Sequence, residues 1–138
     1  MADFDTYQSP FSWRYGSPQM RQIWGETNKR MVWRKLWVAM AKAQVGMDLV
    51  TLEQVQDLEA HAQDVDVTRA LEFEKVNHHD LMAELKVFAE QCEVGRPILH
   101  LGATSMDIKD NAEVLQTRES LALVVQRLAE VLRILSEK

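Results

Sequence analysis

Leu121-Ala122-Leu123-Val124-Val125-Gln126-Arg127-Leu128-Ala129-Glu130-Val131-Leu132-Arg133-Ile134-Leu135 decides the fold class. Within it Leu121, Val125, Leu128, Leu132 and Leu135 alternate spacings of four and three, the repeat of roughly 3.5 residues with which helices pack side by side in bundles. Val124, Val131 and Ile134 widen the apolar stripe beyond the seam that one partner helix covers, so this helix expects neighbours on several sides. No glycine, asparagine or proline closes it before Lys138. The rest of the chain offers too few helices to cover that stripe. The sequence therefore reads as a fragment, or as a subunit completed by others.

Working toward the N-terminus, the segment Pro97 to Ser105 precedes the long helix, and before it Leu81, Leu85, Phe88 and Cys92 fall at spacings of four, three and four. That is one stripe of a helix lying on a core and ending near Glu93, ahead of Gly95 and Pro97. A short helix is expected over Val67 to Lys75. Thr51 with Gln54 three residues on is a capping box, opening a helix through Val55 and Leu58 to about Ala62. Ser17 before Pro18 reads as an N-cap followed by proline at the first helical position. From there one helix is expected over Gln19 to Val45, carrying Trp33, Leu36, Trp37 and Met40 inward and stopped by Gly46. No internal repeat and no period-two strand pattern appears. The expectation is an all-α fold, with a helical domain over 1–104 and the first part of a long bundle helix over 105–138.

Composition narrows the functional classes. In 138 residues, 16 lysines and arginines face 21 acids for a net charge of −5, and 46% of the chain is hydrophobic, enough for one modest core. The acidic balance argues against nucleic acid, whose phosphates are held by lysine and arginine. Unbroken apolar runs such as Leu121 to Val125 fall far short of the roughly 18 residues of a membrane span, so no membrane association is expected. Met1 to Ser12 lacks the basic start and apolar stretch of a secretory signal, which makes a cytoplasmic location the expectation. The single cysteine, Cys92, excludes an internal disulfide and a cysteine-based zinc site and is expected as a reduced, packed side chain.

Three segments carry candidate chemistry. His78, His79 and Asp80 are consecutive, and on a helix their side chains would point about 100° apart. Extending the Leu81, Leu85, Phe88 stripe backwards places His78 toward the core and leaves His79 exposed. Adjacent histidines lack the i, i+4 spacing of helical metal ligands, so no metal site is expected. The segment Leu99-His100-Leu101-Gly102-Ala103-Thr104-Ser105 sets a histidine, a glycine and two hydroxyls before a long helix, where free N–H groups and the helix dipole suit a carboxylate or phosphate. Capping alone would explain Thr104 or Ser105, but not both together with His100 and Gly102. Arg14-Tyr15-Gly16-Ser17-Pro18 offers a guanidinium, a phenol and free N–H groups to a phosphate. Trp33 and Trp37 lie four apart on one face and read as core, with Arg34 in solvent.

Taken in order, Arg14-Tyr15-Gly16-Ser17-Pro18-Gln19-Met20, Trp33-Arg34-Lys35-Leu36-Trp37, His79-Asp80-Leu81-Met82-Ala83 and His100-Leu101-Gly102-Ala103-Thr104-Ser105 with Asp110-Asn111 resemble the adenylosuccinate lyase family. The likeness is to its N-terminal domain and the start of its central helical bundle, in the superfamily of fumarase, aspartase and argininosuccinate lyase. It implies β-elimination of fumarate from a succinylated purine nucleotide (adenylosuccinate to AMP, SAICAR to AICAR), without metal or organic cofactor, by a homotetramer whose sites draw on several subunits. By position, the resemblance gives Arg14 and Tyr15 to the nucleotide phosphate and Thr104 and Ser105 to a succinyl carboxylate. It makes His79 a catalytic histidine supporting binding and proton transfer, with Asp80 beside it, and His100 a second histidine lining the site.

Two departures stand out. His78 occupies a position where the family typically has arginine, making one ligand contact weaker or pH-dependent. The family's proton-donating histidine and the serine of its mobile loop come from later segments, so these 138 residues alone are expected to be inactive. Two other readings compete. A carboxymuconate cycloisomerase-like member shares a similar Gly-Ala-Thr-Ser segment but holds no nucleotide phosphate, so Arg14-Tyr15 discriminates. A non-catalytic helical assembly module would use the histidines for packing.

Overall fold

The computed structural model describes Tyr7 and residues 9–137. A short π-helix, Phe11–Tyr15, leads into α1 (Pro18–Ile23), α2 (Glu26–Val45), α3 (Leu52–His61), α4 (Val67–Asn77), α5 (Asp80–Gln91), a 3-10 turn (Arg96–Ile98) and α6 (Ser105–Ser136). Among the described residues there is no strand, as the sequence patterning required.

The local signals act as expected at most helix starts. Ser17 Oγ accepts from the Met20 N–H at 3.1 Å with Pro18 in the first turn, and Thr51 and Gln54 close the capping box in both directions. Asp66 caps α4 by accepting from the Arg69 N–H at 2.9 Å. The single helix expected over Gln19 to Val45 is instead two, broken at Trp24 and Gly25. Gly25 is extended (φ −72°, ψ 149°) and serves as the N-cap of α2. The break is held by side chains: Asn28 Nδ2 and Gln116 Nε2 both donate to the Ile23 carbonyl, at 2.9 and 2.6 Å, the latter from α6. The freed carbonyl is thus satisfied, which makes the interruption affordable.

The core lies around α2. Trp33, Trp37, Leu58, Leu81, Phe88, Cys92 and Ile108 are buried there, and the Leu81, Phe88, Cys92 stripe faces inward as its periodicity required. Burial, with Asp57 adding to it, pushes the Cys92 thiol up to about 12, which makes it an inert packing residue. Arg34 corrects the sequence reading: it is fully buried. Its Nε lies 2.6 Å from Glu84 Oε1, and Nη1 donates to the His61 carbonyl and to Gln91 Oε1 at 2.8 and 2.7 Å. Arg30, also buried, reaches Glu84 Oε2 at 3.4 Å. These pairs join α2 to α5 and to the end of α3. Burial pushes the Glu84 carboxyl above its usual range, and the two guanidiniums offset only part of that cost.

In α6 only Ile108, Ala112 and Gln116 are buried, while the widened stripe from Leu121 to Leu135 faces outward, with Val125 65% and Leu132 67% exposed. Among the described residues no helix is long and apolar enough to cross a membrane.

The approach to the segment before α6 depends on close packing. Asp57 Oδ2 accepts from the N–H groups of Val94 and Gly95 at 2.9 and 2.8 Å, and a Cβ on Gly95 would stand 2.6 Å from Leu58 Cδ2 and 2.9 Å from the Gln54 carbonyl oxygen. The backbone oxygen cannot swing aside as a side chain can. Gly95→Ala is therefore expected to destabilise the fold by about 1–3 kcal/mol through overpacking. Thermal unfolding beside wild type checks it, and an unchanged melting temperature would show that α3 yields freely.

Candidate functional site

α4 ends at His78, which takes the left-handed conformation (φ 53°, ψ 33°), and His79 is the extended N-cap of α5. The two histidines therefore sit in a link between helices, and a helical period cannot be run back through them. His78 is exposed, contrary to the core position expected for it. The His79 N–H donates to Asn77 Oδ1 at 3.0 Å, and His79 Nδ1 accepts from the Met82 N–H at 3.3 Å. An Nδ1 that accepts leaves the proton of the neutral ring on Nε2. That Nε2–H faces Ser105 Oγ at 3.3 Å, so the Ser105 hydroxyl keeps its own proton for a ligand.

The adjoining pair repeats the connection. Asp80 Oδ2 and Oδ1 accept from Lys109 Nζ at 3.0 and 3.2 Å, and Asp80 Oδ1 lies 3.8 Å from His79 Nδ1. Burial raises the Asp80 pKa, but the Lys109 hydrogen bond, the Leu81 N–H and the Lys109 charge outweigh it and hold the carboxyl below its usual range. Consecutive residues at the start of α5 thus clasp Ser105 and Lys109, which lie four apart on one face of α6. Lys109 did not emerge from the sequence. Its only local signal is that spacing from Ser105.

Thr104 is the N-cap of α6, and its N–H and hydroxyl both donate to Asp107 Oδ2, at 2.7 and 3.2 Å. Its donors are therefore taken up within the helix, while the Ser105 hydroxyl proton is not. His100 has a left-handed backbone (φ 64°), and its Nδ1 accepts from Trp37 Nε1 at 3.0 Å. Burial holds its pKa below the ordinary histidine value; Asp107 pulls the other way and His79 adds to the lowering. Among the described residues no cluster of three or more histidine, cysteine or acidic side chains is arranged to hold a metal ion.

Arg14 and Tyr15 stand apart from this group. The Arg14 guanidinium lies over the Trp13 ring, 4.6 Å from its centroid, and Tyr15 lines a groove with Met20, Leu123, Leu128 and Val131. From Ser105 to Leu123 is about 27 Å along the helix axis at the usual rise. Within one chain Tyr15 and Ser105 do not meet.

Comparison with known proteins adds the following. No family model matches the chain. It is 35% identical to adenylosuccinate lyase of Schistosoma mansoni over 140 residues, 33% to that of Saccharomyces cerevisiae over 141, and 38% to that of Pyrococcus abyssi over 130. These matches take in 100%, 99% and 93% of the chain and 29% of each relative's length. In structure the chain resembles a fumarate lyase from Mesorhizobium sp. BNC1 with a TM-score of 0.75 and 23% identity, over 90% of this chain and 29% of that one. That likeness shows the fold alone. By sequence over nearly its whole length, the chain is a homologue of the adenylosuccinate lyases, matching a segment that makes up 29% of each.

Proposed function

We propose that the protein containing these residues is an adenylosuccinate lyase, and that this chain is the N-terminal part of it. The observation that carries the reading is the meeting of His79 Nε2 with Ser105 Oγ at 3.3 Å where α5 and α6 begin, braced by Asp80 and Lys109. Removing a proton beside a carboxylate builds negative charge, which prearranged donors stabilise, while an acid protonates the leaving nitrogen. Ser105, with Thr104 beside it, binds a carboxylate of the succinyl group using its hydroxyl and the positive end of the α6 dipole. His79 presents a proton to the same region and acts in binding and proton transfer. Asp80 lies beside it and ties the start of α5 to α6 through Lys109, and His78 and His100 line the ligand's path.

Arg14 and Tyr15 hold the nucleotide phosphate. Their distance from Ser105 along α6 fits a ligand bridging residues of different copies, so the working form is a homotetramer in which the exposed stripe of α6 is covered. Residues 1–104 form the helical domain and 105–138 the first part of a bundle helix. The setting is the cytoplasm, and nucleic acid is not a partner.

The test is cleavage of adenylosuccinate, followed by absorbance, with the product of the complete natural reading frame beside the 138-residue chain. Turnover by the long form alone is expected. A folded, tetrameric long form without activity would overturn the reading. A long form whose nucleotide affinity ignored Arg14→Ala, and which cleaved no adenylosuccinate, would favour the cycloisomerase-like alternative.

A further inference from the structure

We propose that Trp37 is a positioning residue that fixes His100 as a donor-only imidazole, presenting its Nε2–H to an anionic oxygen of the ligand. An indole N–H donates and never accepts. With Trp37 Nε1 at 3.0 Å from His100 Nδ1, that nitrogen must offer its lone pair, and the ring proton must sit on Nε2. A proton on Nδ1 would set two N–H groups against each other. Trp37 cannot move to relieve this, because it is buried, with its ring 6.1 Å from Phe88. The two rings meet edge to face, at 89° and 6.0 Å.

The backbone of His100 is anchored from the same helix. Gln44 Nε2, two turns beyond Trp37 on α2, donates to the Leu101 carbonyl at 2.9 Å, and the His100 carbonyl accepts from the Ala103 N–H at 3.2 Å. Both ring and turn are thus set by one face of α2. Among the described residues no acceptor meets Nε2, so its proton is available outward. The titratable groups that act on the ring are Asp107 from α6, which favours the imidazolium, and His79 from the start of α5, which opposes it. Burial sides with His79. His100 therefore contributes a neutral hydrogen bond that persists as pH rises above the ordinary histidine pKa, whereas a contact made by an imidazolium would fade there. It does not serve as a base. That its acceptor is a substrate oxygen rests on the lyase reading; its tautomer does not.

The experiment is long-range 1H–15N correlation on protein carrying ring-15N histidine, titrated from acid to neutral pH, with His100 assigned by His100→Asn. The expected wild-type result is the Nε2–H tautomer with a pKa below 6.5. Trp37→Phe is expected to give mixed tautomers and a pKa moved up, while Trp33→Phe, a similar loss of volume without this bond, leaves His100 as it was. In the active enzyme Trp37→Phe should raise KM for the succinylated nucleotide by roughly tenfold, with a smaller change in kcat. An Nδ1–H tautomer in wild type, or a tautomer and pKa unmoved by Trp37→Phe, overturns the proposal. Should Trp37→Phe not fold, the wild-type tautomer alone decides. Correct tautomers in a wild-type protein that cleaves no adenylosuccinate would sink the lyase reading and leave the role of Trp37 standing.

Discussion

Glu84→Leu is expected to lower the unfolding free energy by about 3–5 kcal/mol, the usual consequence of removing one partner from a buried ion pair. Glu84, Arg30 and Arg34 are all essentially inaccessible to solvent, and the carboxylate is the one anion both guanidiniums share in the interior. Its loss falls chiefly on Arg34, which would keep only the neutral acceptors His61 O and Gln91 Oε1, whereas Arg30 still has Glu26 and Glu74 at 3.5 and 3.6 Å. The partners are not equivalent. A buried carboxyl can take up a proton, and burial already pushes Glu84 that way, whereas a guanidinium stays charged at any ordinary pH. Arg34→Met should accordingly cost less than Glu84→Leu, and the double variant less than the sum of the two. Urea titrations of the three variants decide the matter. A Glu84→Leu protein within about 1 kcal/mol of wild type would mean that water or a rearranged acid reaches the arginines.

The same cluster shows where sequence reading stops. Trp33 and Trp37 were legible as core because their spacing matches one helical face. The sequence pattern places Arg34 in solvent, because a helix with one apolar face ordinarily has a wet one. α2 is instead packed against α3, α4 and α6 and tied to α5, so a side chain about 100° from Trp33 is still indoors. What makes an arginine tolerable there is an acid 50 residues further on, and no local pattern announces such a pairing. The break at Gly25 is a milder case. The glycine was visible, but the donors that satisfy the interrupted helix come from Asn28 and from Gln116, 93 positions away. Caps and stripes, by contrast, depend on neighbours within a turn or two. The caps at Ser17 and Thr51 and the stripe of Leu81, Phe88 and Cys92 lie where the sequence puts them, whereas running that stripe back to His78 fails because the helix ends there.

For the site, residue types were more legible than geometry. His79 and Ser105 are both legible as candidates, but the helix expected over His78 to Asp80 gives no reason for His79 to face Ser105. The left-handed backbone at His78 redirects the chain there, an unusual conformation for a residue other than glycine that no spacing rule predicts. The part Lys109 plays, and the bond Trp37 makes besides its place in the core, are hidden in the sequence for another reason. Each acts through a partner, Asp80 or His100, and the second of these pairs spans 63 residues.

The second large effect belongs to His79. In the proposed reaction His79→Asn should lower kcat by roughly 10²–10⁴, the range for loss of a positioned proton-transfer group. Asparagine is the informative replacement because His79 has two tasks on its two nitrogens. Nδ1 caps α5 through the Met82 N–H, and asparagine is among the best N-cap residues, so that task survives. Nε2 reaches Ser105 Oγ, and the shorter amide cannot span the same gap. Stability should therefore stay within about 1 kcal/mol of wild type while turnover collapses. His79→Ala would confound the two, losing the cap as well as the proton. Ser105→Ala tests the other end of the contact, and if the two residues act as a unit the double variant should be little slower than the worse single one. Fully additive losses would assign them to separate steps. A stable His79→Asn enzyme within threefold of wild-type kcat would remove His79 from the chemistry, leaving it a helix cap that happens to touch a serine.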